Sequence, residues 1–152
     1  MSQPYYRLLY EIANDLAKDT PGFFEKKGPG KGNFATNDFI AELSSRTISK
    51  FGEDFAEKHI CGDNSLAVDY HFPSEETVVE IALGLRNPNT EFEKDILKVV
   101  MAQDNGHTVS RLVFISKPGG ISKCNQPGRR AVIDWLKKSH GVVTEVLELG
   151  AA

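Results

Sequence analysis

The segment Ser65–Leu85, SLAVDYHFPSEETVVEIALGL, holds two acids spaced to act together, Asp69 and Glu80. The Pro73-Ser74-Glu75-Glu76 loop can close a β-hairpin between Phe72 and Thr77. Counting outward from that pair sets Tyr70 against Val79 and Asp69 against Glu80. Opposed residues on an antiparallel pair have Cβ atoms about 4.5–5.5 Å apart, and like charges so placed repel. A proton shared between the two carboxyls offsets that repulsion, and so does a hard divalent cation such as Mg²⁺. The alternation puts Val68, Tyr70, Phe72, Val79 and Ile81 on a core face, and Asp69, His71, Val78, Glu80 and Ala82 on the other. A glutamate within TVVEIALGL interrupts a run that reads as an internal strand. The plain alternative is a partly exposed strand face bearing two ordinary acids.

Strand and helix rises locate the group that meets Glu80. Beyond it, Ala82–Arg86 carry the chain about 13 Å at about 3.3 Å per residue. A returning helix that begins near Thr90 needs about nine residues at about 1.5 Å each to regain the level of Ala82. That residue is Lys98, with Lys94 one turn earlier as second choice. An ammonium beside two metal-binding carboxylates can stabilise the charge that develops in phosphoryl transfer or orient an attacking water. The alternative is a surface pair of Lys98 with Asp95 or Glu91 on an exposed helix face.

The positioning elements follow from periodicity. A first helix is expected over Tyr5–Lys18, with Leu8, Leu9, Ile12 and Leu16 on one face and Thr20-Pro21-Gly22 as its end. A Gly- and Lys-rich stretch from Glu25 to Asn37 reads as a basic loop in which Lys31 contacts a phosphate, or as a plain linker. It lacks the spacing of a Walker A loop. A second helix is expected from Asn37 or Asp38 to about Lys58, with Phe39, Ile40, Leu43, Ile48, Phe51 and Phe55 recurring at helical spacing and Gly52 weakening its continuity. After the hairpin, Thr90 and Glu93 form a capping box for a third helix ended by Gly106. Its core stripe is Phe92, Ile96, Val99, Val100 and Gln103. Arg111–Ser116 is a strand, Pro127 opens a helix closed by Gly141, and Val142–Leu149 is the last strand. The order α, α, β-hairpin, α, β, α, β predicts an α/β domain spanning 1–152, with a central mixed β-sheet flanked by helices.

At 152 residues, 40% apolar and 26% charged, the chain has the composition of a soluble protein able to bury a core. It has no run long enough to span a membrane and no signal-peptide pattern, so a cytoplasmic setting is expected. Cys61 and Cys124 form no CxxC, and His59, Cys61 and His71 match no structural zinc spacing. The net charge of −3 is unevenly placed. Seven acids lie between Asp69 and Asp95 against Arg86 and Lys94, whereas Arg111–Lys138 holds seven bases against Asp134. An acidic centre beside a basic flank suits metal plus phosphate, and solvated faces are the alternative.

A helix, a hairpin with Asp on one strand and Glu-x-Lys on the next, then a helix and a strand, make up the core of the PD-(D/E)XK nucleases. Asp38–Ser116 resembles that restriction-endonuclease-like core, with Glu-Ile-Ala at 80–82 in place of the Glu-x-Lys. Carried over, the resemblance implies that Asp69 and Glu80 ligate Mg²⁺, or Mn²⁺ in its stead, with the carbonyl of Ile81. It also implies a catalytic glutamate on the first core helix, for which Glu42 is the candidate and Glu11 the alternative. Ala82 stands where the family has lysine. Some members carry that lysine on the following helix, where Lys98 falls; its loss would otherwise mark a binding-only descendant. The expectation is a Mg²⁺-dependent endonuclease acting on DNA, with Asp69, Glu80, Lys98 and Glu42 catalytic. Lys31, Lys117, Arg129 and Arg130 are expected to contact the DNA backbone, and a homodimer or a partner subunit to supply specificity.

Overall fold

The computed structural model describes residues 3–25, 32–88 and 90–150, with 32–35 described by backbone alone. Helix α1, Tyr5–Asp19, buries Leu9, Ala13 and Leu16 along one stripe. No side chain of its own caps its N-terminus. Instead the carboxylate of Glu75, on the hairpin turn, accepts the backbone N–H groups of Tyr5 and Tyr6. A carboxylate there satisfies orphan donors and complements the helix dipole.

Helix α2 spans Gly32–Phe51. It starts earlier than expected, since Asn and Gly, which read as loop, are tolerated at helix N-termini. It also ends earlier, at Gly52, whose φ of +71° takes the chain out of the helix. The last apolar residue of the expected helix, Phe55, leads instead into a short strand β1, Ala56–Lys58. Its ring packs against Phe51, Tyr5 and Phe72, so its apolar character served a tertiary cluster and not a helical stripe.

The hairpin is β2, Val68–Phe72, and β3, Thr77–Ile81, joined by a 3₁₀ turn over Pro73–Glu75. Its register is the expected one, Phe72 with Thr77 and Tyr70 with Val79. Helix α3, Phe92–Asp104, then leads to β4, Arg111–Ser116. Glu91, not Thr90, stands at the α3 N-cap, and no side-chain capping bond forms, so the capping box is not used. A short helix α4, Gly120–Cys124, absent from the expected order, precedes α5, Pro127–His140, and β5, Val143–Glu148. Pro127 and the left-handed Gly141 bound α5 as read.

The five strands form one mixed sheet in the order β1-β2-β3-β4-β5, antiparallel through β3 and parallel from β3 to β5. On one face Phe92, Ile96 and Val99 of α3 and Ile133 and Leu136 of α5 pack with Val78, Leu112 and Phe114. On the other, α1 and α2 cover Tyr70, Phe72, Val79, Val113 and Ile115. Alternation therefore sorts the strands as expected, except at Val68. As the first residue of β2, it packs on the α3 side with Ile60 and Cys61. No helix of the described residues is long and apolar enough to cross a membrane.

Candidate active site

The paired register ends at Tyr70 with Val79; one residue beyond it, the Asp69 and Glu80 carboxyls lie beside each other on the sheet face covered by α3. Glu80 is fully buried and Asp69 partly so. Asp69 Oδ2 accepts the backbone N–H of Ile81 at 2.7 Å, fixing the carboxylate at the end of β3. The next peptide, between Ile81 and Ala82, donates its N–H to Ile115 O of β4. In a trans peptide the carbonyl points opposite to the N–H. The Ile81 carbonyl therefore faces the β2 side, where Asp69 lies.

Lys98 arrives from the middle of α3. Its ammonium sits 3.1 Å from Glu80 Oε1, 3.2 Å from Asp95 Oδ1 and 2.8 Å from the carbonyl of Ala67, just before β2. These three partners match the three N–H donors of a lysine. The strand-then-helix count thus reached the right turn of α3. Lys94, the second choice, is exposed and pairs with Glu91. Asp95, read only as a surface partner, is buried and belongs to the cluster. Its signal was the i, i+3 spacing to Lys98. One turn further on, Gln103 of the same stripe donates to the carbonyls of Val109 and His140, tying α3 to the end of α5.

Three carboxyls around one ammonium leave an excess of negative charge in a site with little water. Burial, with Asp69 and Asp95 beside it, holds the Glu80 carboxyl well above the usual carboxylate range. Burial pushes Asp95 up to about 6 and also raises Asp69, although the Ile81 N–H and Lys98 oppose the latter. For Lys98 burial alone would favour the neutral amine. Glu80 and Asp95 together outweigh it and hold the ammonium above the ordinary lysine value. Glu80 Oε2 has no hydrogen-bond partner although it is buried. An orphaned buried carboxylate oxygen is costly unless a proton or a cation completes it.

The donor set fits a small hard cation. Mg²⁺ binds through one or two carboxylates and oxygens from water and phosphate, not through an all-protein cage. Asp69, Glu80 and the Ile81 carbonyl could supply such oxygens to a cation that displaces the proton shared between the two carboxyls. Among the described residues no group of three or more His, Cys, Asp or Glu side chains is arranged to hold a metal. Any cation here would therefore rest on two carboxylates and a main-chain oxygen. His59 is exposed and its Nδ1 meets Leu66 O, His71 packs edge-on against His107, and Cys61 donates its thiol to Lys98 O. The zinc reading of these residues has no shared centre.

Other expected site residues lie apart. Glu42 is exposed on α2 and pairs with Arg46, in a shallow groove with Ser45, Ser49 and Lys50. Its bonding partner is Arg46, not Asp69 or Glu80. Glu11 is exposed on α1. Arg129, expected on DNA, is buried instead. It donates to the carbonyls of Leu85 and Asn87 and lies over the Phe92 ring. Its charge closes the turn after β3, which backbone carbonyls would otherwise leave unsatisfied. Arg130 faces outward beside Asp134 and Asn125. Lys117 follows β4 with its ammonium over the Phe23 ring. Lys31 lies outside the described residues.

Glu148, which the sequence did not single out, shapes the loop beside the carboxyl end of β4. Its carboxylate accepts the N–H groups of Gly119 and Ile121. Compared with family models, curated proteins and solved structures, the chain matches none.

Proposed function

We propose that the chain is a Mg²⁺-dependent nuclease that hydrolyses phosphodiester bonds in DNA, on a restriction-endonuclease-like fold. The observation that carries this reading is the convergence of Asp69, Glu80 and Lys98 from two strands and a helix, with the lysine supplied by α3 while Ala82 fills the motif position. An antiparallel hairpin feeding a parallel βαβ unit, with helices on both faces, supports the fold assignment.

In this reading Asp69, Glu80 and the Ile81 carbonyl would hold the cation, which would supply positive charge for the scissile phosphate and lower the pKa of a bound water. The Ile81 N–H orients the Asp69 carboxylate. Lys98, kept cationic by Glu80 and Asp95, places a positive charge beside the reacting phosphoryl group. Lys117 and Arg130 contact the DNA backbone, and a second copy or a partner subunit supplies specificity.

Cleavage of plasmid DNA in Mg²⁺ tests this reading. Lys98→Ala should lower the single-turnover rate by about 10²–10³-fold and leave DNA affinity within about twofold. Cleavage that survives the substitution would contradict it. A second reading, a module that binds without cutting, is favoured by the saturation of all three Lys98 donors inside the protein. It predicts that neither wild type nor variant cuts, and that both bind.

A further inference from the structure

Lys98 reaches the carboxylate pair from α3, and its position depends on more than Glu80. Glu80 lies on β3 and the Ala67 carbonyl just ahead of β2. Asp95 is the only one of the three acceptors on the lysine's own helix, one turn before it. It is nine-tenths buried, so little water competes for it. A lysine side chain has four rotatable carbons, and a single acceptor does not fix it. If Glu80 is engaged elsewhere, as the proposed function requires, Asp95 and Ala67 O are what remain to hold the ammonium.

We propose that Asp95 is the positioning residue of this site, holding the Lys98 ammonium against the Asp69–Glu80 pair independently of what Glu80 binds. The charged groups around Lys98 are Glu80 from β3, Asp69 from β2 and Asp95 from α3, with Glu91 at the α3 N-cap near Asp95 and Asp69. Asp95 alone shares a rigid helical turn with the lysine. Asp95 touches no reacting atom in this assignment and acts through Lys98.

This inference rests on the nuclease reading for its consequence and on geometry for its substance, so the test reads both. The first measurement is the ¹⁵Nζ–¹H signal of Lys98 in lysine-labelled protein, assigned by its loss in Lys98→Arg. In wild type the ammonium protons should exchange slowly, and in Asp95→Ala at least about tenfold faster, while Leu97→Ala, exposed on the same helix, should leave them unchanged. Asp95→Leu, which removes the acceptor at similar shape, serves if Asp95→Ala does not fold. Unchanged Lys98 exchange in the folded variant would overturn the assignment.

The second measurement is single-turnover DNA cleavage. Asp95→Ala should lose about 10–100-fold in rate with DNA binding retained, and Asp95→Glu should recover part of it. An unaltered rate would also overturn the assignment. Loss of the Lys98 signal without cleavage by any form would uphold Asp95 as positioning residue and remove the nuclease reading.

Discussion

Ile81 donates its backbone N–H to Asp69 at 2.7 Å, so the side chain of one hairpin strand is anchored by the main chain of the other. An asparagine at 69 can accept the same hydrogen bond through its carbonyl oxygen, whereas alanine cannot. Asp69→Asn should therefore unfold within about 1 kcal/mol of wild type in urea, and Asp69→Ala should lose about 1–3 kcal/mol. Equal losses would mean that the bond does not hold the end of β3.

The buried carboxyls make stability depend on pH in an unusual direction. Burial raises Asp95 to about 6 and lifts Glu80 and Asp69 above their ordinary values. The folded state then keeps protons that the unfolded chain has already released. Stability is present at acidic pH and falls as pH rises from the ordinary carboxylate range through about 6. Burial lowers the His71 pKa and acts in the opposite sense over the same range, so the carboxyl effect is read in a His71→Gln background, where urea midpoints should show the protein more stable at pH 5 than at pH 7. Asp95→Asn should flatten the difference by about 1 kcal/mol. Stability that rises steadily from pH 5 to pH 7 would contradict this.

Arg129 and Lys117 separate stability from the proposed nucleic-acid contact. Arg129→Ala removes two bonds to backbone carbonyls and a cation–π contact. It should cost about 2–4 kcal/mol in unfolding and leave the salt dependence of DNA binding unchanged. Lys117→Ala should spare stability within about 1 kcal/mol and lower the slope of log K against log salt by about 1. Fluorescence anisotropy across a salt series reads both.

The hairpin and its register were legible because a period of two and a Pro-containing turn leave few alternatives, and one slipped residue would turn Tyr70, Phe72 and Val79 away from the face that α1 and α2 cover. Lys98 was legible for a similar reason: fixed rises per residue set where a helix returns along the strand it follows. Phe55 and β1 were not, because an apolar residue at helical spacing reads the same whether it faces a helical seam or an aromatic cluster. Asp95 and Arg129 were misjudged as surface charges. Burial of a charge depends on partners brought from other elements, here Lys98 for the one and the Leu85–Asn87 turn for the other. Glu42 was carried by resemblance alone, and the side chain faces Arg46.

The proposed function rests on a divalent-cation site formed by Asp69 and Glu80 that serves phosphodiester hydrolysis. Calorimetric titration of Mg²⁺ and Mn²⁺ into wild type and the double variant Asp69→Asn/Glu80→Gln, followed by assay of the same samples on plasmid and branched DNA, tests it most directly. Metal binding and strand cleavage are expected in wild type and neither in the folded double variant. Absence of metal binding in wild type, or cleavage that persists in the double variant, would contradict it.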